Sequence, residues 1–316
     1  MFHVPNNAQF IVAVGAANMD IVAQTHAKPS VGDSAPGRIS TSPGGVARNV
    51  AENLARLGWS VRLLSAVGDD AHGRALLSST QQAGVDVQRC WVWPTRNTAT
   101  YVSLHGPDGE LTAAVNDMGI LEHITPAHLA IHAEDIRRAS ALLLDCNLSA
   151  DALASLFEVG LVAPVFVDGV STHKCTRILP WLPRVNTLKV NRAEAQALTG
   201  RSAHTPALAD TAARELCALG VQRVVLSLGD GGVCWRDAQG HGGWAPALKT
   251  PMVNANGAGD ALMAGLVHGV LHGHSLAQAV RFGSGCAALT LSSAQANHPN
   301  LSVPTVEHLL ENTPTL

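Results

Sequence analysis

Asp260 closes the run NGAGD, behind Gly257, Ala258 and Gly259 and ahead of an apolar stretch with helical spacing, Ala261, Leu262, Ala264 and Leu266. Small residues let a ligand approach the backbone. A helix start supplies unpaired N–H groups and a partial positive charge. Together they make an anion hole. A carboxylate beside a bound anion is electrostatically awkward unless it takes a proton from an attacking hydroxyl, which is general-base chemistry. The same residues also suit an ordinary helix start, with glycine in the loop and an acid in the first turn. On this run alone the two readings stay open.

Other stretches carry compatible chemistry. GGVARNVAENLARLG sets Gly44 and Gly45 at a second helix mouth, with Asn49 one turn in. KVNRAEA follows a strand ending at Lys189 and puts Asn191 and Glu194 at i and i+3. That pair can hold water around Mg²⁺ near phosphates, and equally can form a helix-capping box. LSLGDGGV runs a strand into a glycine turn that suits a nucleotide's phosphates or ribose; by itself it is a β-turn signal.

The elements that must position these residues alternate. FIVAVG and VRLLSAVG read as buried strands, and so do ALLLDC, APVFVD, NTLKV and RVVLSLG, each of these four followed by a helix. Helices are expected over Gly44 to Leu57 and near Ala71 to Ala83. Continuous apolar strands between helices predict an α/β fold, a mostly parallel sheet covered on both faces. Two segments break the rhythm. Residues 18–42 are loop-like, and residues 98–117 fit two strands around the turn PDGE, with Tyr101, Ser103, Asp108 and Gly109 in place. Such an inserted hairpin is a natural lid that excludes water.

The 316 residues suffice for one large α/β domain or two ordinary ones, and the chain reads as one domain, 1–316, with lid segments at about 18–42 and 98–117. Hydrophobic residues make up 47%, charged residues 14%, and the net charge is −3 without a block of like charge. Neither a nucleic-acid surface nor a basic membrane face is indicated. The start MFHVPNNAQFIVAVG lacks the features of a secretory signal, and no apolar run reaches membrane-spanning length. The six scattered cysteines read as reduced thiols of a cytoplasmic protein.

Several signals are set aside. His128/His132 and His268/His272 have i, i+4 spacing but no HExxH glutamate, and read as solvated faces. GSGCAA, from Gly283, falls inside a helical pattern and reads as close helix packing. There is no GK[ST], so this is not a P-loop kinase, and Ser171 lacks the flanks of a nucleophile elbow.

In their order, AANMD, PGGVARN, NRAEA, SLGDGGV and NGAGDA resemble the PfkB (ribokinase-like) carbohydrate kinase family over nearly the whole chain. GAANMDI, LLSAVGDD, AVNDM and DCNLS are similar to a nucleoside-kinase branch of it. The resemblance implies a Rossmann-like sheet with a small β lid, ATP with Mg²⁺, and phosphoryl transfer to a hydroxymethyl group. It implies Asp260 as base and Gly257, Ala258 and Gly259 as anion hole. Asn18, Asp20, Gly44, Gly45 and Asn49 would bind the acceptor, with Asn116 and Lys174 as further candidates. Lys189, Asn191, Ser227, Gly229, Gly231 and Gly232 would serve the nucleotide, and Glu194 the Mg²⁺ through water. A lid-paired homodimer is also implied. Two departures stand out. Asn254 replaces an Asp that in many relatives belongs to a monovalent-cation site; an amide brings no charge, so K⁺ would depend on backbone carbonyls. The loop SSAQANHPN lacks a glycine often present there, beside the adenine. The alternatives are another sugar or nucleoside kinase (ribokinase-, fructokinase- or adenosine kinase-like) and a non-catalytic ligand-binding regulator on the same scaffold.

Overall fold

The computed structural model describes residues 9–28, 30 and 32–313. The reading of the N-terminus as no secretory signal falls largely on residues 1–8, outside the described residues, as do residues 29 and 31 of the first lid segment.

The strands are β1 (Ile11–Val14), β2 (Asn18–Thr25), β3 (Gly37–Gly44), β4 (Val61–Leu64), β5 (Ala66–Gly68), β6 (Trp91–Trp93), β7 (Thr100–His105), β8 (Leu111–Asp117), β9 (Ala141–Asp145), β10 (Val165–Asp168), β11 (Thr187–Asn191), β12 (Arg223–Ser227), β13 (Val233–Asp237) and β14 (Gly242–Ala245). The helices are α1 (Val46–Arg56), α2 (Ala71–Gln82), α3 (Pro126–Ile131), α4 (Ala133–Arg138), α5 (Ala150–Glu158), α6 (Arg192–Thr199), α7 (Pro206–Ala218), α8 (Ala258–Leu271), α9 (Leu276–Leu291) and α10 (Val303–Asn312).

Eight strands form the main sheet in the order β14-β13-β12-β11-β10-β9-β1-β4. From β12 to β4 every pairing is parallel. The residues alternate between two cores, as strands buried on both faces require. Val12, Val14, Leu142 and Leu144 pack under α3 to α7. Ile11, Ala13, Leu63 and Leu143 pack under α1, α8, α9 and α10. Gly265 of α8 faces Gly283 of α9 so closely that neither accommodates a Cβ, which bears out the packing role of GSGCAA.

Four expectations are corrected. The loop-like segment 18–42 contains β2 and most of β3, which join β7 and β8 in a second sheet, β3-β2-β7-β8. VRLLSAVG breaks at Ser65, and β5 pairs with β6 outside the main sheet. RVVLSLG is followed not by a helix but by a short 3-10 turn and the antiparallel strands β13 and β14. The helix after APVFVD is a 3-10 segment, Cys175–Arg184, because Pro180 and Pro183 remove backbone donors. The hairpin of β7 and β8 turns at PDGE as expected, with Gly109 at φ +83°.

Candidate active site

The sheet places β9, β10, β11 and β12 side by side and in parallel, so Asp145, Asp168, Lys189–Asn191 and Ser227 all reach one edge. The carboxyl ends of parallel strands are where open α/β sheets bind ligands. Helices α1 and α8 begin at the same edge. Gly257 starts α8 at φ +79°, where a Cβ would collide with the Ala296 carbonyl, so glycine is required. No side chain caps this helix start, which leaves its first N–H groups to a ligand.

Asp260 points from the first turn of α8 toward α1, and its Oδ2 accepts a 2.6 Å bond from Asn49 Nδ2. It is 9% exposed. Burial raises its pKa to about 7, reinforced by Asp168, against the opposing pull of Lys189, Asn49 and Arg48. The carboxyl therefore titrates near neutrality, where a general base is most effective.

Lys189 is buried at the end of β11. Its Nζ donates to Asp168 Oδ2 at 2.8 Å and sits where a Cβ on Gly259 would approach to 2.8 Å. Burial alone would lower the ammonium's pKa, but Asp168, Asp260 and Glu194 outweigh it and hold the group protonated. A fixed ammonium and the start of α8 thus converge on one small volume, a strong environment for an anion. Asp168 Oδ1 accepts from the Val170 amide at 3.0 Å, and Val170 is held at φ +67°. That conformation costs a β-branched residue roughly 1–3 kcal/mol.

On β2, Asp20 Oδ1 takes a 2.6 Å bond from Asn18 Nδ2. Burial raises the Asp20 pKa, while Asn18 and Arg48 oppose the shift. A Cβ at Gly44 would strike this carboxylate, so the glycine makes room for it. Gly45 starts α1 at φ +97°. Asn116 stands in one cross-strand row with Tyr101 and Asp20, on the same face of the small sheet. Lys174 Nζ donates to Asn147 Oδ1 at 2.6 Å, and its burial lowers its pKa.

On the other flank, Asn191 and Glu194 form a complete capping box. Glu194 N donates to Asn191 Oδ1 at 3.0 Å, and Glu194 Oε2 accepts from Asn191 N at 2.9 Å. Burial, then Asp168, raises the Glu194 pKa against Lys189 and Asn191. Ser227 pairs in register with Asn191. The turn after it carries Gly229, Gly231 and Gly232, closed by Leu228 N on Gly232 O at 2.7 Å. Asn254 lies apart: Oδ1 accepts from Asn256 N at 2.9 Å and Nδ2 donates to Ala294 O at 3.2 Å.

Sequence reasoning missed Arg48, Asp168 and Asn297. Arg48 is 1% exposed and ion-paired with Glu52 at 2.6 Å. The available signal was an arginine with an acid at i+4, Arg48 and Glu52, just after the Gly44–Gly45 pair. The histidine pairs need a partial correction: His272 is exposed as expected, His128 and His132 are half-buried, and His268 is buried. His268 is 6% exposed, stacks on Phe282, and accepts from Trp59 Nε1 at 3.2 Å. His128 and His132 pack against Trp91. Among the described residues no three His, Cys, Asp or Glu side chains are arranged to hold a metal. All six cysteines are free thiols. No described helix is long and apolar enough to cross a membrane.

The chain is 42% identical over 307 residues to the pseudouridine kinase of Escherichia coli K12, covering 97% of this chain and 98% of the relative. Its fold matches a carbohydrate kinase from Agrobacterium tumefaciens with a TM-score of 0.85 at 28% identity, covering 97% and 98% of the two chains. It also matches an Arabidopsis thaliana ribokinase complexed with ribose and ATP, with a TM-score of 0.83 at 22% identity, covering 96% and 99%. Residues 8–303 match the pfkB carbohydrate kinase family. The chain belongs to that family and is a phosphotransferase acting on an alcohol group.

Proposed function

We propose that this enzyme transfers the γ-phosphoryl group of ATP to the 5′-hydroxyl of pseudouridine, giving pseudouridine 5′-phosphate and ADP. The observation that carries the chemistry is Asp260, buried at the mouth of α8, hydrogen-bonded to Asn49 and titrating near neutrality. The name of the E. coli relative supports the choice of nucleoside.

Asp20 and Asn18 hold the ribose hydroxyls, with Gly44, Gly45 and Asn49 shaping the acceptor pocket and Asn116 and Lys174 reaching toward the base. Asp260 takes the proton of the 5′-hydroxyl as the oxygen attacks the γ-phosphorus, and the bond to the ADP oxygen breaks. Gly257, Ala258 and Gly259 direct backbone N–H groups at the transferring oxygens, and Lys189 adds a fixed positive charge. Asn191, Ser227, Gly229, Gly231 and Gly232 hold the nucleotide.

Mg²⁺ usually keeps several waters and enters with nucleotide phosphates, so it needs no all-protein cage. Glu194 fits that use: both of its oxygens are already engaged by Asn191, which leaves contact through water. When bound, the ion neutralises phosphate charge. Asn254 does not fit a K⁺ ligand as placed, because its NH₂ occupies the Ala294 carbonyl. The small sheet closes the site as a lid and pairs two copies into a homodimer. The chain acts as one domain, in the cytoplasm, without nucleic acid or membrane.

The test is ADP release with ATP and a panel of pseudouridine, uridine, adenosine, ribose and fructose. Pseudouridine should give the highest kcat/KM. Preference for ribose, fructose or adenosine would replace it with another kinase of the family. No turnover with any acceptor, despite ligand binding, would favour a regulator.

A further inference from the structure

Arg48 meets two asparagines that approach from opposite ends of the chain. Nη2 donates to Asn49 Oδ1 and, at 2.6 Å, to Asn297 Oδ1. Nε donates to Gly44 O at 2.9 Å, and Nη1 to Glu52 Oε2 at 2.6 Å. Asn297 Nδ2 donates to the Asn49 backbone carbonyl at 2.8 Å. Asn49 Nδ2 donates to Asp260. Arg48, Asn49 and Asn297 are all buried.

An arginine side chain only donates, whereas an amide has one donating and one accepting end. Both asparagine oxygens must therefore face Arg48. Their NH₂ groups are then forced outward, one to the Asn49 carbonyl and one to Asp260. Freed from Arg48, Asn49 could rotate its amide and put an oxygen against the carboxylate. A lysine in this place would keep the charge but could not serve the same set of acceptors with its compact ammonium.

We propose that Arg48 is a positioning residue for the phosphoryl transfer: clamped by Asn297, it fixes the Asn49 amide so that its NH₂ holds the Asp260 carboxylate. Neither residue touches the reacting atoms. The proposal rests on Asp260 being the base. The charged groups facing Asp260 are Asp168 from β10, Lys189 from β11 and Arg48 from α1, with Asp20, Glu52 and Glu194 acting on those neighbours. In that setting the Asn49 bond favours the ionised carboxylate, because a hydrogen bond to the charged form lowers its pKa.

The test is the pH dependence of kcat/KM for the acceptor in Arg48→Lys and Asn297→Leu, alongside Asp260→Asn. Both positioning variants keep the charge of wild type, so a simple loss of positive charge is not what they report. The acid limb should move up by about one pH unit in each, with KM for ATP unchanged. A limb that stays in place while kcat/KM falls evenly would overturn the proposal and leave Arg48 a structural residue. If Asp260→Asn itself retains turnover, the base assignment fails instead. If Arg48→Lys does not fold, Asn297→Leu carries the same test.

Discussion

Asn49 and Asp260 lie 211 positions apart in the chain, yet the amide nitrogen of one is 2.6 Å from the carboxylate of the other. Helix α1 follows Gly44 and Gly45 and α8 follows Gly257, so this bond ties together the two helix starts of the candidate site. It also sets against each other two pressures on Asp260. Burial and Asp168 favour the neutral acid; Asn49, Lys189 and Arg48 favour the carboxylate.

Replacing Asp260 with Asn should reduce turnover by about 10²–10⁴-fold while leaving ATP affinity intact. It should also stabilise the protein. The folded-state pKa of about 7 lies above the ordinary 3.8, so the native state binds more protons than the unfolded chain between those values. Stability therefore falls as pH rises through that window. The variant lacks this loss, and its Tm should exceed that of wild type at pH 8. A Tm equal at pH 5 and lower at pH 8 would contradict the burial argument.

Much of the candidate site's local geometry was legible in the sequence because its parts are local. Gly257 to Asp260, and Asn191 with Glu194, are short runs whose types and spacing dictate a helix start. The apolar strands announced the covered parallel sheet. What escaped notice was non-local or poorly patterned. β3 is largely exposed, and GRISTSPG carries no apolar alternation to mark it as a strand. Asp168 gains its meaning only beside Lys189 on the neighbouring strand, and Asn297 only where it meets Arg48. His268 looked like a surface residue because helical spacing fixes a shared face but not how deep each turn of it lies: His268 is buried while His272, one turn later, is exposed. α8 is apolar nearly all round and is buried from Asp260 to Gly269, which takes in His268 but not His272.

His268 gives a stability prediction of opposite sign. Burial, with His272 and His274 nearby, lowers its pKa to about 4. The unfolded chain, titrating near 6.5, binds more protons between those values, so stability rises with pH across that window. His268→Leu should remove this dependence, which reaches on the order of 3 kcal/mol near pH 4. Urea unfolding at pH 4.5 and 7.5 measures it. An unchanged difference between the two pH values in the variant would place the acid sensitivity elsewhere.

The small sheet presents Ile39 at 75% exposure and Val115 at 69%, with Val102 and Leu111 also exposed. In register, Ile39 pairs with Ala23, Ile21 with Val102, and Val102 with Val115, so these side chains share one face. An exposed apolar face of this kind suits the lid-paired homodimer proposed above. Ile39→Lys with Val115→Lys should convert a dimer to a monomer in light scattering, with little change in monomer Tm. A wild type that is already monomeric at working concentration would remove the lid-pairing assignment.

Asn254 gives the sharpest test of the departures noted in the sequence. Its NH₂ donates to the Ala294 carbonyl while its oxygen receives the Asn256 amide, so the side chain bridges the loop before α8 to the loop after α9. An aspartate in this place could still accept from Asn256, but its second oxygen would face a carbonyl. Two oxygens in contact repel unless a cation stands between them, and a carboxylate brings the charge that attracts one. Asn254→Asp should therefore make turnover respond to K⁺ more strongly than wild type, with the Mg²⁺ requirement unchanged, since Glu194 is on the other flank of the site. A K⁺ titration at constant ionic strength decides the matter. Strong, saturable activation of wild type that is unaltered in the variant would mean that backbone carbonyls build the site unaided, and that the amide at Asn254 is no substitute for the ion.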